Sequence, residues 1–375
     1  MKILINAVSA RLGGGQTYIR NLLSLDRYEG VEAIYILKSE GLLITKHKQV
    51  FEILVKDAIV KSPFIRAFWE NISIPNYISE LDIDVYFCPG GSLNYVPGKI
   101  KGKEIKSVIT FQNMLPLDYI QVLKYGISKM RLRNIILKYV FRKSMKAADL
   151  VIFLSEFAMV QAQLLCKGRI KKKVLIPHGI EVTDYKAHKE MPVCCPDTPY
   201  LLYVSTLDVY KSQKEVVIAF AKLKEEKLFQ YKLVLAGESY LPYKKEVDKL
   251  INTLGISDDV IMTGHVNKKE LEKLYGNAAI NIFASQTENC PFILLEAMAS
   301  GRPVLSSNMS PMPEIAGDTV LYFDPRDSDD LANSINKYLE NPELMEENAR
   351  KARMKVSDFS LKHAALKTWK AITSI

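Results

Sequence analysis

Two glutamates, Glu288 and Glu296, stand with seven residues between them in the segment Ser285–Ser306, SQTENCPFILLEAMASGRPVLS. Pro291 suits the first position of a helix, because its φ is already helical and its missing N–H would have had no partner there. Gly301-Arg302-Pro303 supplies the residue types that end one. Glu288 is therefore expected in a strand-to-helix loop and Glu296 on the helix itself. Free N–H groups from Asn289 to Ile293 can bind a diphosphate or sugar hydroxyls. Glu296, further along, can accept both hydrogen bonds of a ribose diol. Glu288 can hold a sugar ring. This chemistry suits a nucleotide sugar, although a plain strand–loop–helix with two solvated glutamates has the same spacing.

A second set of residues follows the first β-branched run. Gly13-Gly14-Gly15 would let the backbone approach phosphate or sugar oxygens closely, and the helix that follows adds a favourable dipole. The spacing is not that of the GxGxxG dinucleotide fingerprint. Asp82-Ile83-Asp84 puts two carboxylates on one strand face, but no histidine or third carboxylate lies near, and a metal site is not expected.

The elements that must position these residues read as short apolar strands alternating with amphipathic helices, the pattern of parallel sheets covered by helices. In the first half the strands are Lys2–Val8, Glu32–Leu37, Val50–Val55, Val85–Cys88, Ser107–Phe111, Leu150–Leu154 and Lys173–Ile176. In the second they are Tyr200–Ser205, Lys232–Ala236, Val260–Thr263, Ile280–Ala284, Pro303–Ser306 and Val320–Phe323. Between the halves, Glu181–Pro199 lacks periodicity and reads as a linker. The expected fold is α/β: two facing Rossmann-like parallel-sheet domains with an interdomain cleft, where ligands gather at the carboxyl ends of strands. Residues 1–185 form the first domain and residues 186–355 the second. Residues 356–375 form a helix expected to pack back on the first.

The 375 residues carry 51 Lys and Arg against 42 Asp and Glu, a net charge of +9, which points to an anionic partner. The cations Lys124, Lys129, Arg131, Arg133, Lys138, Arg142, Lys143 and Lys146 all fall within residues 119–148, among apolar residues and with no anion. A basic amphipathic helix of this kind suits an anionic membrane surface or a phosphate-bearing acceptor, while a core helix with a solvated basic face would look the same. Nucleic acid is not expected, since no known module interleaves the aromatic and basic residues. Five cysteines (Cys88, Cys166, Cys194, Cys195 and Cys290) with no CxxC pair favour free thiols in a reducing compartment. No signal peptide and no apolar run of spanning length is read. The expected location is cytoplasmic, peripheral at the inner face of a membrane.

The segment around the two glutamates resembles the Glu-x7-Glu signature of retaining glycosyltransferases of family 4. The likeness extends through Leu294-Leu295-Glu296-Ala297-Met298-Ala299-Ser300-Gly301-Arg302-Pro303-Val304, Pro313-Glu314-Ile315 and Phe323-Asp324-Pro325-Arg326-Asp327. Upstream it includes Val260–Val266 and Leu271–Ala278. It is strong over residues 200–340 and weaker over residues 1–180. The resemblance implies the GT-B architecture, with the donor on the second domain and the acceptor on the first.

By that resemblance Glu288 would contact the donor sugar and Glu296 the ribose. The backbone of Asn289, Cys290, Pro291 and Phe292 would meet sugar and diphosphate, and Gly264, His265 and Val266 would lie near the base. Lys211 matches the family's phosphate-neutralising lysine. Thr206 stands where the family usually has an arginine, so Lys211 would act with Lys214 or with the glycine loop. Gln112 and Asn113 occupy the place of a family histidine facing the cleft; Gln112 can hydrogen-bond but cannot titrate. His178 resembles part of a family turn near the hinge, and a turn histidine is more often structural. No metal and no cofactor are implied, the nucleotide sugar being a substrate. The implied reaction moves a hexose-type sugar from a nucleoside-diphosphate donor to a saccharide or lipid-linked acceptor, as in O-antigen or capsule synthesis. The rival readings are a sugar-nucleotide epimerase on the same fold and a catalytically silent nucleotide-sugar-binding scaffold.

Overall fold

The computed structural model describes residues 1–10, 13–181, 191–194, 198–225 and 229–375. Leu12, Cys195 and most of the Glu181–Pro199 linker lie outside them. The chain forms two compact units. The first comprises Met1–Leu117, Ile127–Gly179 and Ser360–Ile375, and the second comprises Asp118–Gly126 and Ile180–Phe359.

The chain runs β1 (Lys2–Asn6), α1 (Gly14–Leu22), β2 (Ala33–Lys38), β3 (Val50–Leu54), α2 (Asp57–Lys61), α3 (Pro63–Glu80), β4 (Val85–Cys88), β5 (Lys99–Ile100), β6 (Lys103–Glu104) and β7 (Lys106–Phe111). It continues through α4 (Tyr119–Leu123), α5 (Lys129–Ala147), β8 (Leu150–Phe153), α6 (Glu156–Cys166) and β9 (Lys173–Leu175). The first sheet has the order β3-β2-β1-β4-β7-β8-β9, and every pairing in it is parallel. Central strands such as β4 and β8 are buried along their whole length, as a sheet covered on both faces requires. The hairpin β5–β6 is too short to leave a periodic signal.

The second unit continues with β10 (Tyr200–Val204), α7 (Gln213–Lys224), β11 (Lys232–Ala236), α8 (Leu241–Thr253), β12 (Val260–Gly264), α9 (Lys268–Asn277) and β13 (Ile280–Phe283). It then forms α10 (Phe292–Ala299), β14 (Val304–Ser307), α11 (Met312–Ala316), β15 (Leu321–Phe323), α12 (Ser328–Glu340) and α13 (Pro342–Lys355). Its sheet runs β12-β11-β10-β13-β14-β15, again parallel throughout. The last helix, α14 (Leu361–Thr373), belongs to the first unit, where Trp369 donates from Nε1 to the carbonyl of Leu22 at 2.8 Å.

The basic stretch 119–148 is not one helix. Gly126 adopts φ 57°, a left-handed conformation open to glycine, and breaks the chain. Ser128 then caps α5 by accepting from the amide of Arg131. The first piece, α4, is capped by Asp118 and belongs to the second unit, while α5 belongs to the first. Asp82 and Asp84 both pair with Lys103, at 2.9 and 2.7 Å. No helix among the described residues is long and apolar enough to cross a membrane.

Candidate functional site

The loop between β13 and α10 carries Glu288, and its polar residues Ser285, Gln286, Thr287 and Asn289 are buried. Buried polar groups need partners, and Gln286 supplies several. Its amide donates to the carbonyl of Tyr210 at 2.8 Å, and its Nε2 donates to Ser212 Oγ at 2.6 Å. Its Oε1 accepts from Gln121 Nε2 and from Lys124 Nζ, both at 2.9 Å. The loop is thereby tied to the turn that follows β10 and to α4.

That turn presents Lys211. Ser212, at φ 53°, is in the left-handed region, and Tyr203 donates its hydroxyl to the Lys211 carbonyl at 2.7 Å. The Lys211 ammonium ion-pairs with the Glu288 carboxylate and lies 5.0 Å from the Tyr210 ring centroid. The Lys211 and Glu288 side chains are only 7% and 16% exposed, so the pair is shielded from solvent. Burial disfavours the lysine charge, yet the adjoining Glu288 carboxylate, together with Tyr203 and Asp208, outweighs it and raises the lysine pKa. Lys214 is engaged elsewhere, 2.9 Å from Glu246. Thr206 is exposed, and its carbonyl accepts from Gln213 Nε2 at 3.0 Å.

Pro291 caps α10 rather than beginning it, at φ −73° and ψ 119°. Having no N–H, it drops out of the donor run expected from Asn289 to Ile293. The amides that open a helix have no carbonyl one turn back, and the first turn of α10 holds no acidic residue to compete for them. Glu296 sits on the same helix, where Tyr275 donates to its Oε2 at 3.4 Å. Desolvation, eased only in part by that bond, pushes the Glu296 carboxyl up to about 7. The two glutamates thus have opposite settings: Glu288 shares a buried cation, and Glu296 is desolvated.

Gly264 ends β12 at φ 67°, and its carbonyl accepts from the Gly237 amide at 2.9 Å. His265 is exposed, 3.8 Å from Glu238, and Val266 follows it. Thr206, Gly237, Gly264 and Glu288 therefore all stand at or after the carboxyl ends of parallel strands, where open α/β sheets hold ligands. Sequence reasoning missed Gln286 and its partners, and also Asp208, which accepts from Tyr125 at 2.7 Å. The signal was present in Gly126 followed by Ser128, which detaches α4 from α5.

In the first unit, Gly13 is the N-cap of α1 at φ 60°, and Gly14 and Gly15 begin the helix. Gly15, Gln112 and Asn113 line one cavity of about 180 Å³. Gln112 donates to the Pro89 carbonyl at 2.7 Å, and Asn113 accepts from the Leu115 amide at 3.1 Å. His178 lies in a second, smaller pocket against α14, its ring 5.3 Å from that of Tyr18. Burial lowers its pKa to about 3, so its ring is neutral near pH 7.

Residues 188–355 match the family model described as Glycosyl transferases group 1. That match lies wholly within the second unit. The O-antigen chain mannosyltransferase B of Escherichia coli is 28% identical over 170 residues, 45% of this chain and 44% of that protein. The alpha-monoglucosyldiacylglycerol synthase of Streptococcus pneumoniae is 30% identical over 233 residues, 58% of this chain and 50% of that protein. The chain thus spans half or less of the length of these relatives. Among solved structures, sucrose-phosphate synthase from Thermosynechococcus elongatus superposes with a TM-score of 0.76 at 20% identity, over 99% of this chain and 98% of that one. HepE of Anabaena, in complex with UDP and glucose, gives 0.72 at 17% identity over 100% of both chains. These likenesses show the fold, GT-B, built from two parallel-sheet α/β units.

Proposed function

We propose that the chain is a retaining, metal-independent glycosyltransferase that moves a hexose-type sugar from a nucleoside diphosphate to a saccharide or lipid-linked acceptor in surface polysaccharide synthesis. The carrying observation is the largely shielded Lys211–Glu288 pair set before α10, the helix that bears Glu296. In this reading Glu296 accepts from the ribose diol, and the amides at the start of α10 bind the donor's sugar and diphosphate. Glu288 orients the donor sugar while holding Lys211 in place. As the glycosidic bond breaks, Lys211 and the helix dipole stabilise the charge growing on the departing diphosphate. Thr206 offers no charge there, so Lys211 carries more of the neutralisation. The leaving phosphate takes the acceptor proton, and no covalent nucleophile or cofactor is needed. Retention is supported by the resemblance of the Glu288–Glu296 segment. A saccharide or lipid acceptor is consistent with relatives named an O-antigen mannosyltransferase and a monoglucosyldiacylglycerol synthase.

The same reading places the protein against the inner face of a membrane through the first unit. On α5, Leu132, Ile135, Ile136 and Tyr139 are 60, 49, 42 and 61% exposed, on the face opposite buried Asn134 and Phe141. The helix has no acidic residue, so an anionic lipid surface matches both its apolar and its basic character.

The deciding experiment is thermal stability against UDP, GDP, ADP, CDP and dTDP and their sugars. A ligand at about 100 times its dissociation constant adds roughly 2.7 kcal/mol. One nucleotide should raise the melting temperature, and Glu296→Ala should abolish the rise. Proton NMR of the product then reads the anomer; an inverted anomer, or an epimerised donor with no transfer, rejects the proposal.

A further inference from the structure

The cavity of the first unit has a charge that a neutral saccharide would not explain. Arg66 reaches it from α3 and Arg133 from α5. Its other polar side chains are Ser9, Ser92, Gln112 and Asn113, and no carboxylate lines it among the described residues. A carboxylate flanks it: Glu70 Oε1 lies 3.9 Å from Arg66 Nε. Glu70 accepts from Asn94 Nδ2 at 2.6 Å, and desolvation raises its pKa, which weakens it further as a counter-charge. Arg133 is exposed and lies 3.7 Å from the Met130 sulfur. Gly90 leaves bare backbone in the wall, since a Cβ there would stand 2.5 Å from Ser9 Oγ. A small cavity with two guanidinium groups and otherwise neutral walls is built for an anion, and planar guanidinium forks match phosphate oxygens in pairs.

We propose that this cavity takes a phosphate or diphosphate group of the acceptor, held by Arg66 and Arg133. The inference rests on the reading of the chain as a glycosyltransferase whose first unit holds the acceptor. A lipid-linked sugar diphosphate and a free sugar phosphate share this chemistry. The lipid source is favoured by large apolar side chains exposed elsewhere on the two helices that carry the arginines: Phe64 and Phe68 on α3 are 78 and 70% exposed, and Leu132 on α5 is 60% exposed.

Titration calorimetry of the full chain with pyrophosphate and with farnesyl diphosphate tests it, with saturating nucleoside diphosphate present to occupy the second unit. Pyrophosphate should bind, and Arg66→Gln and Arg133→Gln should each weaken it about tenfold or more, as loss of a charged hydrogen bond does. Arg133→Gln leaves no carboxylate stranded, so it keeps the test valid if Arg66→Gln disturbs folding. Farnesyl diphosphate binding more tightly than pyrophosphate, with the gain lost in Phe68→Ser/Leu132→Ser, identifies a lipid-linked acceptor; equal affinities identify a soluble one. Failure of both probes to bind, or binding that survives Arg66→Gln/Arg133→Gln, overturns the proposal. A chain that binds no nucleoside diphosphate yet keeps arginine-dependent pyrophosphate binding fails as a transferase and retains the anion site.

Discussion

Glu296 and Glu288 share a segment but sit in unlike surroundings, Glu288 against the Lys211 ammonium and Glu296 desolvated. The folded Glu296 carboxyl titrates near 7, against an ordinary value of 4.5. The folded state therefore holds the proton more tightly, and this contribution to stability, present below about 4.5, is lost as pH rises through 7. Glu296→Gln should then stabilise the ligand-free protein at pH 8 by up to about 3 kcal/mol, read by denaturation. The same variant should lose nucleotide affinity. In the wild type, donor affinity should rise with pH through about 7, because the ribose diol needs the ionised acceptor. Lys211→Met, by contrast, strands a part-buried carboxylate and should cost up to about 3 kcal/mol. Lys211→Met/Glu288→Gln should recover most of that stability and none of the transfer activity. If the double variant transfers sugar, the pair is structural only. The spacing of the two glutamates could be read because both stand in one stretch of chain; Lys211, 77 positions from Glu288, was reached only through the family resemblance. Their unlike environments were not, since desolvation of Glu296 depends on what β13, α9 and α10 bring around it.

Elements were legible wherever a whole strand or helix repeats one period. The thirteen strands read from sequence all occur, with ends moved by no more than two residues. The hairpin β5–β6 and the five-residue α11 are too short for a period to register. Assigning α4 to the second unit depended on contacts between Gln121 or Lys124 and Gln286, more than 160 positions away, which no local pattern encodes. Two glycines at strand ends separate strain from collision. Gly264 has φ 67° with open space around a would-be Cβ, so Gly264→Ala should cost only about 1–2 kcal/mol. Gly237 has φ 141°, and its Cβ would lie 2.2 Å from the Ser205 carbonyl oxygen. Gly237→Ala should therefore be far more damaging, to the point of unfolding the second unit. Comparable melting temperatures for the two variants would contradict this.

At the scale of the molecule, the excess of basic residues and the exposed apolar face of α5 predict binding to vesicles of anionic lipid. Sedimentation should show binding to phosphatidylglycerol vesicles, little to neutral ones, and a steep loss with added salt. Leu132→Ser/Ile136→Ser should weaken it at any salt concentration; binding indifferent to both changes would place the membrane contact elsewhere. The first unit is also discontinuous in sequence, and this bears on its synthesis. Its final piece, Ser360–Ile375, arrives only after the entire second unit, and it brings Trp369, which closes on Leu22 and packs 4.9 Å from the Tyr28 ring. Domains begin to fold as the chain emerges, N-terminal parts first. Here the order of completion is reversed. The N-terminal part of the first unit must wait, with the docking surface for α14 uncovered, until Ser360–Ile375 has left the ribosome.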